Sequence, residues 1–386
     1  MKNKAIIYLC DSDFKLDSRP QKEVLGLLKN GYEVNVLTWN RTKNGRIGTE
    51  KYNINNYGVN LHYIYVKGKN GGSVKEMFFA ILCFEWKLIC WLLANIRKCC
   101  LVYSCNLNTA LFSFLISKIF RKKFIYDIFD YYVDCHTFTK EGTLIRKVIE
   151  YLDHQIINNA DAVILCSEKR IEQIKGSKPK KIEIIHNSPQ VQGLDNTDFS
   201  NKYLFSNEKV KIAYIGYLEP GRPILLLADI VAENENLELH CAGYGPEAEV
   251  IEEISNRADN IFFYGQVDYN ETLFIEKNCD IIPALYNPIL KNHRYAAPNK
   301  FYEALLFGKP TLMIRGTGMD ELVEKYELGK VCECSRDSMK EALYGLIRDK
   351  KKWKEMGMRG RQLYEKEYQW KVMEKRLIYV VKNVLA

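Results

Sequence analysis

A chain of 386 residues is longer than one hydrophobic core usually serves, which excludes a single small domain and predicts two domains. Its 47% hydrophobic and 27% charged residues are those of a soluble globular protein. The formal net charge of +8 is mildly basic. This balance permits anionic partners such as nucleotides, phospholipid surfaces or polyprenyl phosphates, and it selects none of them.

The cysteines and the first residues indicate the compartment. The 12 cysteines are scattered, and neither Cys99-Cys100 nor Cys332-Glu333-Cys334 has zinc-type spacing or a histidine companion. Buried, reduced thiols and no bound metal are therefore expected. The apolar run Ala5–Cys10 is too short for a signal peptide and meets Asp11 at once. We expect a first β-strand there and a cytoplasmic protein.

The first half of the chain alternates short apolar runs with helical patterns. Such alternation predicts βαβ units and a mainly parallel sheet. Strands are predicted at Ala5–Leu9, Glu33–Trp39, Leu61–Val66, Leu101–Ser104, Lys123–Asp127, Ala162–Cys166 and Ile182–His186. Helices are predicted at Gln21–Leu28, near Lys75–Lys98, at Thr109–Phe120 and around Leu144–Asn158.

The polar stretch Ser188–Asn207 breaks this alternation and is typical of a linker. A second alternating series follows, with strands predicted at Lys211–Ile215, Leu237–Ala242, Ile261–Tyr264, Ile281–Ala284, Pro310–Ile314 and Lys330–Cys332. Two doubly wound, Rossmann-like α/β domains are therefore expected. Ligands of such sheets bind outside the carboxyl ends of the strands, so a site in a cleft between the domains is expected.

The segment Ala297–Pro310 predicts a loop that becomes a helix and then ends. Its Gly308 suits a helix end, and Pro310 prevents continuation. Lys300 and Glu303 lie three residues apart, on one side of the first turn. A cation beside unpaired backbone N–H groups suits a phosphate, and a carboxylate one turn later suits a pair of sugar hydroxyls. An ordinary amphipathic helix with a surface ion pair is the alternative.

Two glycine turns in the second half are further candidates. Gly216 ends a predicted strand, where the missing side chain lets a ligand approach the backbone, and Arg222 follows near a helix start. A guanidinium there suits a diphosphate, although a structural turn with an exposed arginine gives the same pattern. Tyr244 and Gly245 form a second strand-to-helix turn. It matches neither a dinucleotide fingerprint nor a P-loop.

These motifs, in this order, resemble the donor half of family 4 glycosyltransferases with the GT-B fold. The resemblance rests on Gly216 with Arg222-Pro223, Ala242–Gly245, Tyr264–Val267, Pro298–Glu303 and Gly308-Lys309-Pro310. Segments of the first half are similar as well, at Asp17–Glu23, Gly31–Val34, Tyr126–Asp130, Ala160–Ile164 and Ile185–Asn187. The Pro-x-Lys-x-x-Glu run indicates a subgroup of that family.

The resemblance implies retaining sugar transfer from a nucleoside diphosphate donor, without a metal or other cofactor. It implies that Arg222 and Lys300 neutralise the leaving diphosphate and that Glu303 binds the ribose. Turns near Tyr244-Gly245 and Gln266 would hold the base, with Gly216 and Asn299 also at the donor. The expected organisation is an acceptor domain over 1–190, a linker over 191–208, a donor domain over 209–366 and a C-terminal helix over 367–386 that packs on the first domain.

Two positions depart from the family pattern. Tyr295 stands where the family often has an acid that contacts the donor sugar, and Asn292, His293 or Arg294 could serve instead. Phe129 stands where many relatives have a histidine. Asp130 is then the nearest polar candidate for a catalytic role.

Two segments of the first half leave alternatives open. Met77–Leu93 is long enough to span a membrane, but Glu85 and Lys87 at its centre would be costly in lipid. The segment is either a core helix or a helix at an anionic membrane interface. Asp17 and Arg19 are either cleft residues or a helix cap with an exposed arginine.

The sequence as a whole predicts a retaining glycosyltransferase. A UDP- or GDP-sugar would be the donor and a glycan or polyprenyl-diphosphate-linked molecule the acceptor, in surface polysaccharide synthesis. No nucleic acid partner is expected. Two alternatives are a non-catalytic GT-B subunit of a membrane-associated complex and a GT-B-fold nucleotide-sugar epimerase. A dehydrogenase is disfavoured, because a dinucleotide fingerprint is missing.

Overall fold

The computed structural model describes residues 4–68, 74–135, 138–190 and 199–386, and side chains from residue 78 onward in the second range. Residues 191–198 of the predicted linker lie outside the described residues, as does the side chain of Lys75 near the predicted interface helix. The chain divides into two compact units. One contains the chain up to His186 together with Lys371–Ala386, and the other contains Asn187–Trp370.

The first unit is built on an eight-stranded sheet in the order β3-β4-β2-β1-β5-β6-β7-β8, parallel except for β3. The strands are β1 (Ala5–Cys10), β2 (Glu33–Asn40), β3 (Gly48–Ile54), β4 (Tyr57–Tyr65), β5 (Leu101–Cys105), β6 (Lys123–Ile128), β7 (Ala162–Leu165) and β8 (Ile182–Ile184). The helices are α1 (Ser18–Lys29), α2 (Val74–Asn95), α3 (Leu107–Ile119), α4 (Tyr132–Cys135), α5 (Leu144–Asn159) and α6 (Arg170–Gln173).

Side chains of β1 alternate between the two faces of this sheet, as a strand requires. Ile7 and Leu9 pack into a core with residues of α2, α3 and α5. The intervening Tyr8 points to the other face, where its hydroxyl donates to Glu23 of α1 at 2.6 Å. The sheet is therefore covered on both sides, which explains why a central parallel strand such as β1 is buried along its whole length.

Strand β3 was missed by the sequence prediction. It pairs antiparallel with β4 through a two-residue turn at Asn55 and Asn56, whose φ angles are 48° and 69°. Positive φ at both central residues is the signature of a tight hairpin turn, and asparagine tolerates that conformation well. The alternation of β3 is weak because most of its side chains are exposed or half-buried.

The second unit contains two hydrogen-bonded groups of parallel strands, β11-β10-β9 and β12-β13. The strands are β9 (Val210–Tyr217), β10 (Leu237–Tyr244), β11 (Ile261–Phe263), β12 (Thr311–Ile314) and β13 (Gly329–Cys332). The helices are α7 (Ile224–Ala232), α8 (Ala248–Ser255), α9 (Tyr269–Asn278), α10 (Asn299–Phe307), α11 (Asp320–Lys325), α12 (Arg336–Arg348) and α13 (Trp353–Leu363). The extended segment predicted as a strand at Ile281–Ala284 bridges the groups through the pairs Ile212–Ile281 and Ala284–Met313.

Two further segments complete these units. The described part of the polar stretch after Ser188 packs on the second unit, where Tyr203 is buried and donates to Glu271 at 2.9 Å. The last helix, α14 (Trp370–Leu385), begins at the border of the second unit and continues in the first. There Arg376 donates to the carbonyl of Ile184 at 3.2 Å.

Candidate functional site

The start of α10 places Lys300 and Glu303 one turn apart. Pro298 is the N-cap residue, with φ −67° and ψ 133°, so helical geometry begins at Asn299, which is exposed. Gly308 ends the helix in the left-handed conformation at φ 61°, as expected from the sequence. Lys300 and Glu303 are only 6% and 3% exposed. They are therefore not the surface ion pair of an ordinary amphipathic helix.

The ammonium of Lys300 lies over the backbone of Gly216, at the end of β9. A Cβ atom built on Gly216 would be 2.6 Å from Nζ of Lys300, so glycine leaves the space that the lysine occupies. Nζ also lies 4.8 Å from the centre of the Tyr214 ring. It makes no hydrogen bond within the described part of the chain. Burial, and next the charge of Arg222, lower the pKa of Lys300 to about 8.

Arg222 follows β9 and is half-buried beside the same lysine. Its Nε lies 3.2 Å from Oε1 of Glu219, and its guanidinium carbon lies 4.8 Å from the centre of the Tyr286 ring. Its charge opposes protonation of Lys300, which shows that the two cations share one electrostatic environment. Two cations held together at the carboxyl end of β9 suit a ligand with more than one negative charge, such as a diphosphate.

Glu303 belongs to a buried acid pair that the sequence interpretation missed. It accepts a hydrogen bond from the Tyr269 hydroxyl at 3.2 Å. Glu276 of α9 is fully buried, and burial followed by the Glu303 charge raises its pKa well above the ordinary value. Neither carboxyl oxygen of Glu276 has a hydrogen-bond partner among the described residues. Its burial beside the Glu303 charge therefore favours the neutral form of Glu276.

The spacing of Glu276 along α9 was an available signal. Tyr269, Leu273 and Glu276 lie at helical intervals on one face, where Leu273 is buried and Tyr269 is half-buried. A carboxyl on a buried stripe requires a partner or a proton. The sequence showed the stripe, but it did not show that Glu303 was the neighbour.

The other predicted donor residues lie at the carboxyl edge of the same strands. Tyr244 ends β10 beside Tyr217, and their ring centres are 5.4 Å apart. Gly245 has φ 142°, and a Cβ there would lie 2.2 Å from the carbonyl oxygen of Leu218. Gly245 is therefore required for backbone packing between the two turns. Gln266 follows β11 and is exposed.

The irregular segment before α10 positions Tyr286 rather than supplying an acid. His293 is buried and packs edge-on against Tyr286, with ring centres 5.0 Å apart. Arg294 donates to the carbonyl of Pro288 at 2.7 Å. The Arg222 guanidinium lies over the Tyr286 ring. This segment therefore helps to position that cation.

Asp130 belongs to the first unit, whereas all other predicted site residues belong to the second. Its carboxylate is about half exposed and forms an ion pair with Arg170, at 2.7 Å between Nη2 and Oδ1. Both Asp130 and Phe129 donate backbone N–H groups to Oδ1 of Asn106. The loop after β6 is thus fixed, with the Asp130 side chain about half exposed.

Arg19 is not the exposed arginine that one interpretation allowed. Asp17 caps α1, accepting from the backbone N–H of Arg19 at 3.2 Å, but the Arg19 side chain is 5% exposed. Its guanidinium pairs with Asp127 at 3.1 Å and with Glu23 at 3.0 Å. The Phe129 ring lies 4.6 Å from its guanidinium carbon. Phe129 therefore packs on a buried cation.

Solved structures of glycosyltransferases share this architecture over nearly the whole chain. Sucrose-phosphate synthase from Thermosynechococcus elongatus has a TM-score of 0.72 at 14% identity, covering 99% of both chains. Anabaena HepE in complex with UDP and glucose has a TM-score of 0.70 at 13% identity, covering 98% of this chain and 100% of that one. WaaG, a glycosyltransferase involved in lipopolysaccharide biosynthesis, has a TM-score of 0.67 at 12% identity, covering 97% and 99%. The chain has the GT-B fold, which confirms the predicted α/β class.

The family match lies in the second part of the chain. Residues 195–363 match the family described as Glycosyl transferases group 1. No curated protein matches the chain by sequence. The match covers less than half of the 386 residues, so it supports the predicted relation to family 4 in this part, and membership of the whole chain in that family stays a prediction. The Pro-x-Lys-x-x-Glu subgroup and the roles of individual residues stay predictions.

Proposed function

We propose that this protein is a retaining glycosyltransferase that moves a sugar from a UDP- or GDP-sugar to a glycan or lipid-linked acceptor. The observation that carries the proposal is the buried Lys300 ammonium over Gly216, in the same electrostatic environment as Arg222. Arg222 pairs with Glu219, but its charge still disfavours the Lys300 ammonium, which makes no hydrogen bond among the described residues. A bound diphosphate would stabilise both cations.

The proposed chemistry follows from where charge develops. When the bond between the sugar and the diphosphate breaks, negative charge grows on the departing phosphate oxygen, and prearranged cations stabilise it. Arg222 and Lys300 would have this role. Glu303 accepts a hydrogen bond from the Tyr269 hydroxyl and lies beside Glu276. It would accept further hydrogen bonds from the ribose hydroxyls. Tyr244, Gln266 and Asn299 at the strand and helix ends would contact the base and phosphates.

The acceptor part of the proposal is less specific than the donor part. We propose a glycan or polyprenyl-diphosphate-linked acceptor, as in surface polysaccharide synthesis, and a cytoplasmic protein at the inner face of the cell membrane. Asp130 is the proposed polar group of the first unit that meets the reacting sugar or acceptor. Support comes from its half-exposed side chain in the loop after β6 and from the mild positive charge of the chain.

A panel of UDP- and GDP-sugars tests the proposal. Mass spectrometry would follow nucleotide release and sugar transfer, and calorimetry would measure binding of UDP and GDP. We expect one nucleotide to bind, and Arg222→Ala and Glu303→Ala to weaken that binding. Arg336→Ala, which removes an exposed ion pair with Glu233, is the matched control and should bind normally. If neither nucleotide binds the parent protein, the glycosyltransferase proposal is wrong.

A non-catalytic donor-binding subunit is the second candidate. It is favoured by Tyr295 in place of an acid and by Phe129, which packs on Arg19. It predicts nucleotide binding without transfer from any donor to any acceptor. Sugar transfer from a single donor would exclude it.

A further inference from the structure

Helix α2 has an apolar outer face as well as an apolar inner one. Phe79, Leu82, Trp86 and Leu93 recur at helical intervals and are 65%, 49%, 68% and 48% exposed. The inner face packs into the core of the first unit. A single exposed apolar side chain needs no explanation, but a continuous stripe along a helix does.

The neighbouring helices extend this stripe into a surface. Helix α3 contacts both α2 and α5, so the three lie side by side on one face of the sheet. Leu115 and Ile119 of α3 are exposed. Helix α5 exposes Leu144, Val148 and Tyr151, again at helical intervals. We name the outer faces of α2, α3 and α5 the three-helix surface.

Basic residues border the surface where the helices end. Arg97, just after α2, lies over the Phe120 ring with 5.8 Å between the guanidinium carbon and the ring centre. Lys118, near the end of α3, donates to the carbonyl of Asn159 at the end of α5, at 2.8 Å. These contacts bring the three helix ends together. Exposed Lys98, Arg121 and Lys123 follow the same ends.

Acidic side chains are scarce on this face. Between Phe78 and Ile119 the sequence contains one carboxyl group, Glu85, and it is buried. On α5, Glu150 is paired with Arg146 at 2.8 Å and Asp153 is buried. The border is mainly basic, and its one nearby acid, Asp161, pairs with Lys123 at 3.5 Å among the described residues. The surface thus combines exposed Phe, Trp and Tyr with a basic border, which complements an anionic lipid surface.

The three-helix surface favours lying on a membrane over crossing it. By length and composition, one helix in the described chain, Phe78–Lys98, could span a bilayer. Its Phe84, Leu88 and Leu92 are at most 1% exposed in the core of the first unit. Crossing would strip these side chains from the sheet, whereas lying flat uses only side chains that are already exposed.

We propose that the three-helix surface docks the first unit on anionic phospholipid headgroups. The aromatic and aliphatic side chains enter the interface, and the basic border meets the headgroup charge. The inference deepens the membrane location given in the proposed function. None of the proposed donor residues lies on this surface, so nucleotide binding and vesicle binding are tested separately.

Vesicle flotation of the full chain tests it. The vesicles are phosphatidylcholine alone or phosphatidylcholine mixed with phosphatidylglycerol, at low and high salt. We expect binding to the mixed vesicles that weakens with salt. Phe79→Ser/Trp86→Ser should lower it by more than about a hundredfold, and Arg97→Gln/Arg121→Gln by roughly thirtyfold.

Matched controls separate docking from loss of fold. Leu204→Ser/Met358→Ser removes two side chains of the second unit that are 79% and 51% exposed, and should leave vesicle binding unchanged. Binding of the parent protein to neither vesicle, or equally to both, would overturn the proposal. So would a dimer in light scattering that Phe79→Ser/Trp86→Ser converts to a monomer, if the parent binds no vesicle, because a second copy then covers the surface. Unchanged circular dichroism confirms that each variant folds.

Discussion

Each unit buries a cation beside a pair of acids, but the two arrangements differ in how the cation is satisfied. In the first unit, Arg19 donates to the Ile185 carbonyl at 2.6 Å and pairs with Asp127 and Glu23. In the second, Lys300 lies over an aromatic ring and a glycine, beside Arg222. Burial opposes the charge of both cations. Acidic partners nevertheless raise the pKa of Arg19, whereas Arg222 adds to the lowering at Lys300.

The acid pair of the first unit, Glu23 and Asp127, resembles that of the second, Glu276 and Glu303. The two clusters therefore differ mainly in the partners of the cation. Burial and a neighbouring carboxylate raise the pKa of Glu23 to about 8, and they raise the pKa of Glu276 as well. In each pair, burial and the neighbouring charge favour the protonated form of one acid. The Arg19 cluster has its charges matched within the protein, as structural clusters do. The Lys300 ammonium makes no hydrogen bond within the described part of the chain, so an anionic ligand is its natural complement.

The largest expected effect is the loss of stability when Arg19 is removed. Arg19→Met leaves the Asp127 carboxylate buried without its cation, which should cost about 3–5 kcal/mol of unfolding free energy. Urea denaturation followed by tryptophan fluorescence measures it. Lys29→Met, an exposed change on the same helix, is the control. A variant as stable as the parent would contradict the structural role of the cluster.

The second effect appears in ligand binding rather than stability. Lys300→Met should weaken UDP or GDP binding by about 1.5–3 kcal/mol, the range for a hydrogen bond to a charged group. Calorimetry of the better nucleotide measures it. The unfolding free energy should change less than in Arg19→Met, because Lys300 is the less satisfied cation. If Lys300→Met lowers the unfolding free energy as much as Arg19→Met while nucleotide binding persists, Lys300 is a structural residue. The proposed difference between the two cations would then be wrong.

A third test uses pH. Lys300 has a lowered pKa of about 8 in the ligand-free protein, so its ammonium is present below that pH and is lost above it. Nucleotide binding should therefore weaken as pH rises beyond about 8, by up to about 1.4 kcal/mol for each pH unit. Titrations of the parent and of Lys300→Met over this range compare the slopes. The same slope in both proteins would assign the titration to another group.

The smallest effect on nucleotide binding is expected for Glu276→Gln. Burial and the Glu303 charge raise the pKa of Glu276 and favour its neutral form, so the uncharged amide should change binding by less than about 0.5 kcal/mol. Because its folded pKa is raised, Glu276 stabilises the parent fully only below its unfolded pKa, and that contribution is lost as pH rises toward the folded value. Gln should remove this loss, so the variant should match the parent in unfolding free energy at low pH and exceed it at neutral pH. Urea denaturation at both pH values measures the difference, and a variant less stable than the parent at neutral pH would contradict the raised pKa.

The bounds of α10 and the positions of its charged residues were predictable, because they depend on residues close together in the sequence. Proline before the helix and Gly308 after it set the boundaries, and the three-residue interval placed Lys300 beside Glu303. Gly216 was identified for its lack of a side chain, although the group that uses the space is a lysine 84 residues later in the sequence. Such local signals identified the candidate anion-binding residues. They did not predict the burial of these residues or the direction of their pKa shifts.

The burial of Arg19 could not be predicted in the same way. Glu23 lies on its own helix face, but Asp127 comes from a strand 108 residues away, and only the sheet order brings them together. The pairing of Glu276 with Glu303 likewise depends on contact between α9 and α10. A polar residue on a buried stripe indicates that it has a polar partner, but the sequence does not identify that partner. Tertiary packing decides which one it is.

Helix α2 illustrates how a few polar groups can orient an apolar element during folding. A helix that is apolar on all sides gains similar burial in several rotations about its own axis, so its competing orientations lie close in free energy. Lys87 donates to the carbonyls of Gly45 and Tyr65, each at 2.8 Å, in one rotation. Glu85 is buried, and burial raises its pKa to about 8, so it can enter the core as the neutral acid. The two residues that make spanning a bilayer costly also select the side on which α2 meets the sheet.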